Sequence, residues 1–258
     1  MPRGPRVKSI SGIYHVMLRG ANRQEIFHDD MDCMRFLEII EKYKKVSGMK
    51  VYAWCLMNNH VHLLLKEGIE VLSITMKRIG VSYVTYYNLK YNTTGHLFQD
   101  RFRSENVESN VNLFRVIRYI HQNPVKAGIV KRTDEWRWSS CTGYYGKNPH
   151  PRNLLDVDFI LKKLSTDITN AKQLFQEFNE RKNNDQYLED TIGEKRLSDD
   201  EARLEIKELL GAIEIAQVKS LPRIKRNEVL RRVRYTNGLS LRQAARILGV
   251  SHNLIFKA

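Results

Sequence analysis

The sequence predicts an α+β protein, a ferredoxin-like antiparallel sheet with helices on one face, followed by a helical C-terminal extension. Three observations predict it. Short segments rich in β-branched and aromatic residues read as strands, and longer segments with apolar residues three and four apart read as helices. The two kinds alternate as strand, helix, hairpin, helix, strand, helix, an order that an antiparallel sheet satisfies while leaving its second face open for chemistry or for a nucleic acid strand.

The first strand is read in "SGIYHVMLRG", bounded by Gly12 and Gly20, with a loop through Asn22 and Arg23 after it. From Asp29 to about Val46 the apolar residues Met31, Met34, Phe36, Leu37, Ile40 and Tyr43 give an amphipathic helix, which "SGMK" ends. "VYAWCLM" and "HVHLLLK" form a hairpin about Asn58 and Asn59, residues suited to turn positions that need positive φ. Residues 70–90 repeat the helical pattern, "HLFQDRFRSENV" is a fourth strand, and "NVNLFRVIRYIHQN" is a third helix that Pro124 should stop. A change of composition after "DEWRWSSCTGYYGKNPHPRN" sets the expected domain boundary near residue 150. Residues 1–150 would then carry the catalytic domain and residues 151–258 a helical region broken at "ERKNNDQYLED". At its end, "NGLSLRQAARILGVSHNLIFKA" has a helix-turn-helix rhythm, with Ser240 and Ser251 as caps and Gly249 at the turn. A plain pair of surface helices is the alternative there, and the stop at Ala258 comes early for a full recognition helix, as in a truncated unit.

The 258 residues contain 43 Lys and Arg against 29 Asp and Glu, a formal charge of +14 that favours a polyanionic partner, nucleic acid first. No segment has the roughly 18 uninterrupted apolar residues of a membrane span, and "MPRGPRVKSISG" lacks the apolar core of a secretory signal. The expectation is a cytoplasmic, nucleoid-associated protein. Cys33, Cys55 and Cys141 are far apart and have no CxxC spacing, so they read as buried thiols rather than a disulfide framework or zinc knuckle.

His60 and His62 lie two apart on a strand, so both imidazoles project from one face while Val61 faces the core. Such a pair can converge on a metal; it can also be two histidines on a solvated strand face. Tyr119 and Asn123 lie four apart on the third helix, which puts a hydroxyl and an amide on one face. A phenol with an ordinary pKa near 10 needs a cationic neighbour to attack a phosphodiester at neutral pH, or a metal that polarises the phosphate. Core packing of an amphipathic helix is the competing account of Tyr119. His121 and Gln122 compete with Asn123 as ligands; helical spacing favours Asn123 or Gln122, and the proline that follows pushes Asn123 to the helix terminus. Arginines interleaved with aromatics, Arg19 and Arg23 in one segment and Arg101 and Arg103 in another, suit phosphates and unstacked bases, although Phe98 and Phe102 fit a core equally well. Lys126 and Arg242 complete the set of candidate DNA contacts.

Together these elements resemble the single-tyrosine HUH transposases of the IS200-like superfamily, most closely the REP-associated tyrosine transposases. The resemblance runs from about Tyr14 to Tyr145 and rests on "YHVMLRGANR", "MNNHVHLLL", "GHLFQDRFRS", "RYIHQNPVKAGIV" and "WRWSS". It implies a transposase or endonuclease that binds single-stranded DNA beside a REP-like hairpin and cuts it through a covalent 5′-phosphotyrosine, leaving a free 3′-hydroxyl that can later be rejoined. By position it implies Tyr119 as nucleophile and His60, His62 and Asn123 as ligands of Mg²⁺ or Mn²⁺. A monomer is favoured over a homodimer, because REP-associated relatives can carry a complete site in one subunit. Two other classes compete: a DNA-binding regulator that uses the basic domain and the terminal helices without catalysis, and a metal-dependent phosphodiesterase that forms no covalent intermediate.

Overall fold

The computed structural model describes residues 7–183, 185, 187, 197, 199–236 and 238–258. They fall into two compact units, Met1–Leu188 and Glu189–Ala258. The first unit is built on a four-stranded sheet of β1 (Ile13–Arg19), β2 (Lys50–Met57), β3 (His60–Lys66) and β4 (Arg103–Asn106), ordered β2-β3-β1-β4 with every neighbouring pair antiparallel. This is the expected α+β architecture.

The period-two alternation of the strands decides what each face holds. Val16 and Leu18 of β1, Trp54 and Leu56 of β2, and Val61, Leu63 and Leu65 of β3 form one core with α1 (Asp30–Ser47) and α2 (Leu72–Tyr91). Helix α1 starts where the Asp29 carboxylate accepts from the Asp32 amide and ends at Gly48, whose φ of 69° only a glycine adopts cheaply. The opposite face, expected to be open, is partly covered. Helix α3 (Asn110–Lys126) packs there through Leu113, Val116, Ile117 and Ile120 against Tyr52, Ala53, Cys55 and Leu64. The strands are apolar on both faces around β2, and a sheet buried on two sides needs helices on both.

Three further expectations need correction. Helix α3 does not stop before Pro124 but continues to Lys126, with Asn123 inside it. The missing N–H of a proline removes only the bond to the Ile120 carbonyl, which a helix tolerates this near its end, and the Ala127 amide still reaches the Asn123 carbonyl at 2.9 Å. The Asn58–Asn59 turn has no positive φ. External bonds hold it: the Asn58 carbonyl accepts from the amides of Ile26 and Phe27, and the Asn59 carbonyl accepts from that of Gly20. Left-handed backbone occurs instead at Asn22 and Arg23 in the facing loop, and a Cβ at Gly20 would collide with the Gln24 carbonyl, so this loop closes only over glycine. Finally, the first unit extends beyond residue 150. Leu154 joins the α1/α2 core, while Ile160 and Leu161 of α5 (Asp158–Leu161) and Ala171 and Phe175 of α6 (Ile168–Glu180) are buried with α3.

The second unit has its own core, formed by Ala202, Ile206 and Leu210 of α7 (Asp199–Leu210), Leu230 and Val233 of α8 (Arg223–Arg234), Ala244, Ala245, Ile247 and Leu248 of α9 (Leu241–Leu248), and Ile255 of α10 (His252–Phe256). Ser240 and Ser251 cap α9 and α10 through the amides of Gln243 and Leu254, and Gly249 sits between them at φ 64°. Cys33, Cys55 and Cys141 are buried free thiols. Among the described residues no helix is long and apolar enough to cross a membrane.

Candidate active site

The strand register places the site. On the α3 face of the sheet, residues opposite one another across strands form rows: Glu105, His15 and Leu64; Arg103, Met17, His62 and Cys55; Arg19, His60 and Met57. His60 and His62 therefore sit side by side with ring centroids 5.1 Å apart, as the HxH spacing requires, and Val61 is in the opposite core. Tyr119 comes down on them from α3, its ring 5.6 Å from that of His62 and nearly perpendicular to it. Strand pair and phenol thus meet, and a distant helix supplies the third side chain.

His15, overlooked in the sequence, is central. Its Nε2 lies 3.0 Å from His62 Nδ1, the two rings stack at 5.2 Å, and the Tyr119 ring is 5.8 Å away. Its Nδ1 is 3.6 Å from a Glu105 carboxylate oxygen, its cross-strand neighbour. The signal was available: alternation along "YHVMLR" puts His15, Met17 and Arg19 on one face. On the other histidine, His60 Nδ1–H donates to the side-chain Oδ1 of Asn59 at 2.6 Å, which fixes its proton on Nδ1 and leaves Nε2 with the lone pair.

Asn123 stands one turn after Tyr119 and its amide nitrogen donates to the Tyr119 carbonyl at 2.9 Å, so Oδ1 is the atom it can offer a cation. Its rivals are committed elsewhere. His121 is buried between Asn179 and Ser140 Oγ at 3.1 and 2.9 Å, and burial lowers its pKa to about 4. Gln122 donates to the carbonyls of Asn179 and Arg181 and accepts from Asn183. Among the described residues no three His, Cys, Asp or Glu side chains form a group that could hold a metal ion by themselves.

Tyr119 is only 2% exposed. The Tyr187 ring covers it at 5.0 Å and Lys126 Nζ lies 4.9 Å over its face. Tyr187 is held by a bond from its hydroxyl to Asn112 Oδ1 and, two residues earlier, by the Arg118–Asp185 ion pair at 2.6 Å; burial pushes its own phenol up to about 12. Nothing in the spacing of Tyr187 announces this contact. Of the expected DNA contacts, Arg19 and Arg103 flank the histidine rows, Arg23 and Arg101 are exposed on loops, and Lys126 is exposed at the end of α3. Phe102 is buried and Phe98 packs against the α1/α2 core, the structural account of both. Arg242 is exposed on α9 of the second unit. A cavity of about 690 Å³ opens beside Lys126 and is lined also by Lys131, Arg132 and Lys182, cations that no sequence motif singled out.

Residues 8–123 match the family model described as "Transposase IS200 like". This segment is similar to the IS200-like transposase domain. It spans β1 to Asn123 and so includes every residue of the histidine–tyrosine cluster except Tyr187. The chain is also 27% identical over 103 residues to the REP-associated tyrosine transposase of Escherichia coli (strain K12), a stretch that is 39% of this chain and 59% of the length of that relative. A solved structure of a REP-associated tyrosine transposase bound to a REP hairpin shares 19% identity at a TM-score of 0.48, covering 61% of this chain and 96% of the other. The IS200-like match and the REP-associated relative agree with the resemblance that the motifs carry.

Proposed function

We propose that the protein nicks and rejoins single-stranded DNA beside hairpins, with Tyr119 as the nucleophile and a divalent cation, Mg²⁺ or Mn²⁺, held by His60, His62 and Asn123. The observation that carries this reading is the meeting of the Tyr119 ring with the His60–His62 pair on one sheet face, 5.6 Å from His62. The donor set fits such a cation in number and in preparation. His60 is oriented by Asn59, His62 by His15, and the amide oxygen of Asn123 supplies a harder ligand. Two imidazoles favour Mn²⁺ over Mg²⁺, which prefers oxygen shells. Bound there, the cation would polarise the phosphate and offset the charge that develops as its oxygens become more negative.

The chain's own groups do the rest. For His62 Nε2 to offer a lone pair, its proton must sit on Nδ1 and be donated to His15 Nε2; His15 then carries its own proton on Nδ1, towards Glu105. Arg19 and Arg103 border the histidines and suit the phosphates that flank the scissile one. Lys126 puts a positive charge beside the phenol. The Tyr119 oxygen attacks phosphorus in line, forming a phosphotyrosine; the bond to the 3′-oxygen breaks, and that oxygen takes up a proton as the phenol gives one up. Because the phosphodiester energy is stored in the new bond, a 3′-hydroxyl can reverse the step without ATP. The E. coli homologue's name and the net charge of +14 support hairpin-bearing single strands as the substrate.

The test is incubation of the full chain with labelled single-stranded hairpin DNA and Mn²⁺, followed by denaturing electrophoresis. A covalent adduct is expected; it should vanish in chelator, in Tyr119→Phe, and in His60→Ala or His62→Ala, while Tyr119→Phe keeps its affinity for the hairpin. An adduct formed by Tyr119→Phe would overturn the assignment.

A further inference from the structure

The second unit carries a concentration of charge that the cleavage chemistry does not use. From Ile215 to Ala258 there are ten Lys and Arg and a single acid, Glu228. Such an imbalance is the footprint of a polyanion-binding surface, and its arrangement says which polyanion. Helices α9 and α10 are joined by a short turn with Gly249 at φ 64°, each is capped by a serine, and both pack on α8 by way of Ala244, Ala245, Leu248 and Ile255 against Leu230 and Val233. Three helices so joined, the last two through a glycine turn, have the form of a helix-turn-helix.

The last of these helices presents polar and basic side chains outwards: His252, Asn253 and Lys257 are exposed. It is also bordered by cations. Arg231 Nε donates to the Ala258 carbonyl and Arg234 Nη1 to the Phe256 carbonyl at 2.8 Å, which brings the C-terminal end of α8 alongside α10. Arg242 is exposed in the first turn of α9. In a helix-turn-helix the N-terminal residues of the second helix read base edges while the preceding helices lie against the sugar–phosphate backbone, so even a helix of one turn contains the reading positions. Asparagine is suited to adenine, whose N6 and N7 it can meet with two bonds.

We propose that α8, α9 and α10 form a module for duplex DNA, separate from the single-strand chemistry of the first unit. Asn253 and His252 lie in the major groove, and Arg242 and Lys257 lie on the flanking phosphates. The module would hold the protein on double-stranded DNA whether or not Tyr119 cuts.

The experiment uses the full chain and a duplex without hairpins, selected from a random library by repeated binding, with its two separated strands as competitors. Arg242→Glu combined with Lys257→Glu should weaken duplex binding roughly tenfold or more and flatten the salt dependence by about two contacts. Arg203→Glu combined with Lys207→Glu, both exposed on α7 outside that basic stretch, changes the net charge equally and should leave duplex binding nearly unchanged. Asn253→Ala should lose roughly five- to a hundredfold discrimination at one base pair of the selected sequence. Circular dichroism melting separates these effects from unfolding, because the substituted side chains are exposed. The proposal is overturned if the two double variants weaken the duplex equally, if the first one affects only the single strands, or if it instead alters self-association on a sizing column.

Discussion

Replacing His15 isolates the part of the site that the strand register builds around the proposed cation. His15 and His62 are both fully buried and are joined by a hydrogen bond of 3.0 Å, so His15→Leu removes the acceptor that His15 Nε2 offers to the Nδ1–H of His62. An unsatisfied buried donor costs about 1–3 kcal/mol, and the bound state suffers most because only it requires that tautomer. Loss of an orienting partner of a metal-bound histidine costs about 10–100-fold in affinity, or about 1.4–2.7 kcal/mol, and the two estimates agree. The assay is titration of the DNA-free protein with Mn²⁺, following the free ion by electron paramagnetic resonance, so that catalysis is not the readout. His15→Gln offers an amide oxygen in place of Nε2 and should recover most of the affinity that His15→Leu loses. A purely structural role predicts the same loss in both variants. If His15→Leu holds Mn²⁺ as tightly as the parent, the hydrogen bond from His62 is not what prepares the ligand.

Two other outcomes follow from contacts already described. Tyr187→Ala should open the face of Tyr119 and speed adduct formation on hairpin DNA, since a phosphodiester cannot reach a phenol that is 2% exposed without displacing something; an unchanged single-turnover rate would mean that another group gates it. Asp32 lies at the junction of α1 and α2. Burial alone would raise its carboxyl, but bonds from Lys90, Tyr91, the His28 amide and Tyr86 outweigh that and hold it below the ordinary 3.8. Its folded pKa being the lower one, its contribution is present above pH 3.8 and is lost as pH falls below that value. Asp32→Asn should cost about 3 kcal/mol in urea denaturation, the low end for a broken buried pair because Lys90 keeps Asp29, and should remove this part of the acid sensitivity; a cost near zero would show that the network carries no stability.

What could be read from the residues was whatever depends on local pattern. The HxH pair, the helix of Tyr119 and Asn123, and the two serine caps follow from periods of two and 3.6 and from capping chemistry, which need no knowledge of neighbours. What could not be read depends on who the neighbour is. The Asn58–Asn59 turn takes its shape from amides of Gly20, Ile26 and Phe27, far away in sequence, so the preference of asparagine for positive φ was overruled. The boundary moved because Ile160, Ala171 and Phe175 find burial on α3, and a composition shift records a change of element type, not the end of a core. His15 was visible by alternation, but only the pairing of β1 with β3 and β4 places it between a histidine and a carboxylate.

The row arrangement carries a consequence for misfolding. A slip of β3 by a single residue would turn both imidazoles into the oily layer beneath α1 and α2 and expel Val61, Leu63 and Leu65 from it. The error that destroys the chemistry is therefore the same one that strips the larger core of its floor. A chain in that register would lose the proposed site and its core together, and its exposed apolar residues would make it a substrate for proteases.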